Sequence, residues 1–369
     1  MKLLFVSKYP PIFGGIAEDT KLLTEVLWKN NEVHVISFSG AKGKNVYHML
    51  NNNFSSYRTA LQKIVEIHPD IVHIQHEWGN FGLSDYNKKL IWLIKQLAKK
   101  GIKLVITFHN SIESLFEFGK LFGKKRNRKK FNEAYRLLCQ HCTVIVPNIQ
   151  QKEEITKFGT VPHYIPLPLP KTHGQRKTKT KKIALIQGSI HQGKGIETVL
   201  KAWKVVHKQH PDAELRVAGG IPKNSNSVER KEYMNRLRGL AADLSKKSIQ
   251  LDFRLLTEKQ YHTNIDTAFF SILPYKTISQ SGVLLDNYAH DTPVITSALP
   301  FFLDELSKHK TGITCRRPIE YSNAINKLFA DPIFYQKIRK NIKYRKRFFQ
   351  IDKVANQHII VYRKMMRGE

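Results

Sequence analysis

Short apolar runs alternating with helix-spaced stretches, along almost the whole chain, constrain the fold more than any other feature of this sequence. Residues 3–7, 32–38, 71–74, 103–108 and 143–146 read as strands. Between them, residues 17–29, 86–100 and 127–140 place apolar side chains three and four positions apart, as an amphipathic helix does. Such alternation predicts a parallel sheet with helices on both faces. The pattern stops at residues 162–182, PHYIPLPLPKTHGQRKTKTKK, where four prolines precede a basic run with almost nothing to bury. It restarts with strands at 182–187, 214–218, 249–256, 267–273 and 293–297 and helices at 196–210, 228–246 and 282–290. From residue 321 onward the spacing is nearly all helical. A chain of 369 residues also exceeds what one core usually supports. The expected fold is therefore α/β: two doubly wound parallel-sheet domains, 1–165 and 183–349, joined by a basic linker at 166–182.

Charge narrows the kind of partner. The sequence holds 61 Lys and Arg against 30 Asp and Glu, a formal net charge of +31. A surface of that sign attracts polyanions: nucleic acid, an anionic membrane face or acidic substrates. It contains no zinc finger, basic-region helix or aromatic RNA-binding strand, so specific nucleic-acid recognition is not expected. Three basic clusters, 120–130, 171–182 and 337–347, carry much of the excess. The first is accompanied by Leu115, Phe116, Phe118, Leu121 and Phe122, a mixture that suits an anionic membrane. The second reads as a solvated linker.

Cys139 and Cys142 form CQHC, but no second pair follows at zinc spacing and an apolar stretch begins beside them. Buried structural cysteines in a reducing compartment are expected. The opening MKLLFVSKYPP is too short an apolar run for a secretory signal. No later segment approaches the roughly 20 apolar residues of a spanning helix. The expected setting is cytoplasmic, with peripheral association at the inner membrane face.

Two glycine-rich turns follow strands, where ligands bind in sheets of this kind. In SKYPPIFGGIAEDTKLL, Gly14 and Gly15 open a helix; they serve either a tight turn or a backbone that approaches a ligand closely. GSIHQGKGIETVL, residues 188–200, is one residue short of a nucleoside-triphosphate loop. Gly188, four residues, Gly193 and Lys194 match, but Gly195 stands where a Ser or Thr hydroxyl would hold magnesium. No strand ends on a convincing magnesium-holding Asp either, so Gly195 fits a site without that metal. What remains is a lysine beside a helix N-terminus, able to hold a diphosphate.

Six stretches, in order, resemble the retaining glycosyltransferases of family 4. That family has the GT-B fold of two Rossmann-like domains and moves a sugar from a nucleotide-sugar donor to an acceptor. The stretches are PPIFGGIAEDTKLL, PDIVHIQHEWGNFG and LVITFHNSI, then GSIHQGKGIETVLKAW, ELRVAGG and ILPYKTISQSGVLLDNYAHDTPVITS. The resemblance covers essentially the whole chain. It implies that the last helix, about 350–369, packs back on the first domain. It also implies that Gly14 and Gly15 face the donor diphosphate and the transferred sugar. His109 of TFHN would lie beside the reacting sugar, Gly188 and Lys194 at the diphosphate, and Gly219 of RVAGG near the base. His76 and Glu77 would touch acceptor or donor sugar, or brace their loop; Trp78 would stack on a sugar or fill the loop core.

The chain departs from the family's pattern twice. Ser189 stands where an arginine is common, with His191 as the nearest compensating group. Of the family's two glutamates near the PY stretch, Ile278 replaces the first and Asp286 the second, which holds ribose hydroxyls. Ser281, Gly282 and Val283 lead into a helix there and suit a phosphate or a sugar hydroxyl. The implied catalytic group is His109, Lys194 and Asp286, working without metal or cofactor on a UDP- or GDP-linked donor and a glycan or lipid-linked acceptor. A bacterial surface polysaccharide or glycolipid is the expected product. A GT-B partner subunit without turnover is the first rival, kept open by Ser189 and Ile278; a basic nucleic-acid-binding protein is the second.

Overall fold

The computed structural model describes residues 1–12, 14–121, 127–172, 181–220, 227–245 and 247–369. Parts of two basic clusters, 122–126 with Phe122 and 173–180, lie outside the described residues. The chain divides into two compact units, Met1–Pro170 with Phe349–Glu369, and Lys171–Phe348.

The first unit is built on seven parallel strands: β1 (Lys2–Val6), β2 (Glu32–Phe38), β3 (Val46–Leu50), β4 (Ile71–His76), β5 (Lys103–Phe108), β6 (Thr143–Val146) and β7 (His163–Tyr164). Their order is β3-β2-β1-β4-β5-β6-β7. The order reverses at β1, which opens a crevice at the carboxyl ends of β1 and β4. Alternate residues of each strand feed two cores. Leu4, Val6, Val72 and Ile74 meet helices Phe54–Ile67, Lys88–Lys99 and Arg128–His141. Leu3, Phe5, Val33 and Val105 meet helices Gly15–Leu27 and Ile351–Arg367.

That last helix is tied into the sheet by polar groups as well as by packing. Tyr362 Oη lies 2.6 Å from His73 Nδ1, and His73 Nε2 lies 2.8 Å from Thr107 Oγ1. Burial holds His73 well below the usual imidazole range, so the ring is neutral. Tyr362→Phe leaves a buried ring nitrogen without its partner. It is expected to lower the stability of the intact chain by about 1–2 kcal/mol, read from urea unfolding. A variant as stable as the parent would show that the bond is dispensable.

The second unit has six parallel strands: β8 (Ile183–Gln187), β9 (Glu214–Ala218), β10 (Ile249–Asp252), β11 (Phe270–Leu273), β12 (Val294–Ser297) and β13 (Gly312–Cys315). Their order, β10-β9-β8-β11-β12-β13, reverses at β8. The turns after β8 and β11 therefore share one crevice. In the third basic cluster, Arg345 is paired with Glu305 at 2.8 Å and Lys346 with Asp291 at 2.6 Å, so part of that charge is neutralised internally.

Candidate active site

Lys194 stands at the carboxyl end of β8, where the second unit's strand order reverses. It closes a single 3-10 turn, Gln192–Lys194, after β8 and just before helix Ile196–Gln209. Gly195 joins the two with φ +60, and a Cβ there would come within 2.1 Å of Pro274 O. Steric exclusion, independent of any metal, is thus a sufficient reason for glycine at that position. The Lys276 amide donates to Gly193 O at 2.9 Å, stitching this turn to the one after β11. Gly219 presses against the same turn, since a Cβ there would be 1.9 Å from Gly188 O.

The Lys194 ammonium sits 3.7 Å from the centroid of the Tyr275 ring. A Cβ placed on Gly188 would be 3.9 Å from both Lys194 Nζ and Val283 Cγ2, so turn, lysine and helix start converge. Among the described residues no carboxylate pairs with Lys194. Its neighbour Lys276 is held 2.5 Å from Glu197, so an acid is available nearby and is not spent on Lys194. Desolvation pushes Lys194 down to about 7. The ring face offers a cation-π contact and little more.

The helix Gly282–Ala289 begins beside it. Ser281 caps this helix by accepting from the Leu284 amide at 3.1 Å, and the first amides of a helix have no partner within it. Nothing lies within 4 Å of a Cβ placed on Gly282, so the approach is open. Asp286 stands one turn further on. Tyr261 Oη donates to Asp286 Oδ2 at 2.6 Å, and Gln187 Nε2 holds the Tyr261 carbonyl at 3.0 Å. Burial raises the Asp286 carboxyl to about 6, against the pull of the Tyr261 hydrogen bond.

Ser189 is half-buried in this loop and brings no charge. His191 does not substitute for an arginine: its Nδ1 accepts from the Gly193 amide at 3.1 Å, which requires the uncharged nitrogen. Tyr275 and Tyr261 are the two site residues that sequence reasoning missed. Tyr275 stands within the quoted PY stretch, but a ring beneath an ammonium leaves no spacing signal.

In the first unit, Gly14 has φ +144 and Gly15 opens helix 15–27; a Cβ on either would meet nothing within 4 Å. Neither glycine is forced by crowding within the unit. His109 is buried at the end of β5, with Nε2 2.6 Å from Gln75 Oε1. Burial lowers it to about 3, so the ring is neutral at any working pH. It lines a small cavity with Asp19, Gln75, Thr107 and Pro147.

His76, Glu77 and Trp78 brace their loop. His76 is fully buried between Phe81, Trp78 and Phe108, with Nε2 2.7 Å from Asn87 Oδ1. Glu77 caps the short helix Trp78–Phe81, accepting from the Gly79 and Asn80 amides at 3.0 and 3.1 Å. Trp78 is core, its Nε1 donating to Tyr135 Oη at 2.9 Å. Of the two readings open for these residues, this geometry is that of a braced loop, with His76 and Trp78 buried. Cys139 and Cys142 are buried and free, and burial lifts the Cys139 thiol to about 12. Among the described residues no cluster of His, Cys, Asp or Glu could hold a metal ion.

Residues 13–169 match the family model Glycosyltransferase Family 4, and residues 171–345 match Glycosyl transferases group 1. Over 303 residues the chain is 23% identical to YtcC of Bacillus subtilis (strain 168), a protein named as a glycosyltransferase, covering 76% of this chain and 72% of that one. Among solved structures it resembles sucrose-phosphate synthase of Thermosynechococcus elongatus, with TM-score 0.78, 16% identity and 100% of both chains covered. It also resembles HepE of Anabaena in complex with UDP-glucose, with TM-score 0.72, 14% identity and 100% of both chains covered. The two family models together span nearly the whole sequence, and each of the two units carries its own Rossmann-like parallel sheet. The protein belongs to the GT-B glycosyltransferases of the family 4-like kind.

Proposed function

We propose that this protein transfers a sugar, with retention of configuration, from a UDP- or GDP-linked donor to a glycan or lipid-linked acceptor. The setting is the cytoplasmic side of a bacterial membrane, in surface polysaccharide or glycolipid synthesis. The observation that carries the reading is Lys194: a desolvated ammonium on an aromatic ring, next to a helix start, with no carboxylate partner among the described residues. UDP is the first base to try, because HepE was solved with UDP-glucose.

In the reaction the bond from the anomeric carbon to the β-phosphate oxygen breaks, and one forms from that carbon to an acceptor hydroxyl. The hydroxyl proton passes to the departing phosphate. Negative charge grows on the leaving group, and the Lys194 ammonium and the amides at Gly282 and Val283 oppose it. This division of labour asks nothing of a metal ion. Gly188, Ser189 and Gly219 shape the donor turn, and Asp286 receives the ribose hydroxyls. By family resemblance, Gly14, Gly15 and His109 face the sugar. Asp286→Asn is expected to weaken nucleoside diphosphate binding about tenfold while leaving pyrophosphate binding unchanged, measured by calorimetry. Equal losses for both ligands would remove the ribose role.

A thermal-shift panel of UDP-, GDP- and ADP-sugars tests the function. Stabilisation by one base class is expected; no stabilisation of a folded protein by any member would overturn it. Ser189 and Ile278 favour one second reading, a donor-binding partner subunit without turnover. It predicts binding with no nucleoside diphosphate released.

A further inference from the structure

The first unit's charge is concentrated on one face of its sheet. Helices 54–67, 88–99 and 128–141 hold two, four and four Lys or Arg, against one, none and one Glu. Helices 15–27 and 351–367, on the other face, hold five basic residues against four acidic ones. Helices 112–121 and 149–156, which share the first layer's core, each hold one basic and two acidic residues, so the imbalance is +6 against +1 on the helices of the two layers. Arg128 is tied to Glu113 at 2.6 Å and Lys63 to Glu66 at 2.7 Å. Arg58, Lys88, Lys95, Lys99, Lys129 and Arg136 have no carboxylate partner among the described residues.

An apolar anchor sits within this charge. Phe54, at the first turn of its helix, is 38% exposed, an unusual position for a phenylalanine on a cationic surface. Its ring lies 4.8 Å from that of Trp92, and the Arg58 guanidinium lies 5.3 Å from its centroid. The three helices lie side by side, so the cations cover a broad area, each helix running about 20 Å. A row of phosphates on a nucleic-acid strand would need a strip of charge, and a duplex has no apolar layer to receive Phe54. A bilayer with anionic headgroups matches both features: charge spread in two dimensions, and an interface that accepts an aromatic ring.

We propose that the layer formed by helices 54–67, 88–99 and 128–141 is a docking face for an anionic lipid bilayer, with Phe54 entering the headgroup region. It names where a lipid-linked acceptor would be met, and rests on the proposed function in that respect alone. The lysines set the encounter and its salt dependence, while Phe54 adds a contribution that salt does not screen.

Co-sedimentation of the full chain with phosphatidylcholine vesicles, with and without one-third phosphatidylglycerol, tests this. Binding only to the anionic vesicles is expected. The triple variant K88E/K95E/K99E should lose about tenfold or more in partitioning. Phe54→Ser should lose about threefold and leave the residual binding more sensitive to salt. Unchanged melting temperature and nucleoside diphosphate affinity establish that both variants are folded. Equal binding of the triple variant, equal binding to neutral vesicles, or binding to a DNA duplex but not to vesicles would each overturn the inference. Failure with vesicles while the nucleotide still binds condemns the docking face alone; the reverse condemns the donor site alone.

Discussion

Lys194→Met is expected to weaken nucleoside diphosphate binding about a hundredfold at pH 7 and to remove sugar transfer, in a protein that stays folded. Methionine keeps the length and the contact with the Tyr275 ring while deleting the charge. The folded chain holds the lysine at about 7, below its ordinary range, so folding disfavours the charged form. That cost is absent above the unfolded pKa, grows as pH falls towards 7, and is fully present below it. The uncharged variant escapes it. Its melting temperature without ligand should therefore match or exceed that of the parent at pH 7. Calorimetric titration and a thermal melt check both halves, and wild-type affinity in the variant would sink the assignment.

Gly195→Ser should be the most damaging small change in the second unit, although it completes a nucleoside-triphosphate motif on paper. The new Cβ would fall 2.1 Å from Pro274 O in a backbone of φ +60. Relief requires parting the turn after β8 from the turn after β11, which the Lys276 amide joins through Gly193 O. A loss of about 3 kcal/mol or more is expected in urea unfolding, with donor binding weakened in parallel. A serine variant of normal stability would show that the two turns part easily. It would also return the glycine to the weaker explanation, a site that lacks magnesium.

The alternation of strands and helices was legible because a buried parallel strand reads as an apolar run and its covering helix as a three-and-four repeat. β3 was not, because three of its five residues are only half-buried and one is exposed, which blurs the run. β13 escaped for a similar reason: Gly312, Ile313 and Thr314 are half-buried, and only Cys315 is fully enclosed. At the site, Gly188 and Lys194 were readable because a phosphate turn constrains spacing along the chain. Tyr275 beneath Lys194 and Tyr261 on Asp286 join residues 81 and 25 positions apart by side-chain contact alone, which leaves no period to detect. QHEWG left two readings open. An acid, an imidazole and an indole at a strand end suit a sugar contact or a braced loop, and Asn87 and a ring of aromatic residues turn two of them inward.

The central claim is that Lys194 receives the diphosphate of a nucleotide. Calorimetric titration at pH 8, in buffers of different ionisation heat, tests it most directly, using the nucleoside diphosphate that the panel selects. With the free ammonium titrating at about 7, most of the protein carries a neutral lysine at pH 8. Binding an anion raises that value, so close to one proton should be taken up per ligand, and affinity should fall about tenfold per unit above pH 7. Lys194→Met should take up none. Binding without proton uptake, or uptake that persists in the methionine variant, would contradict the account.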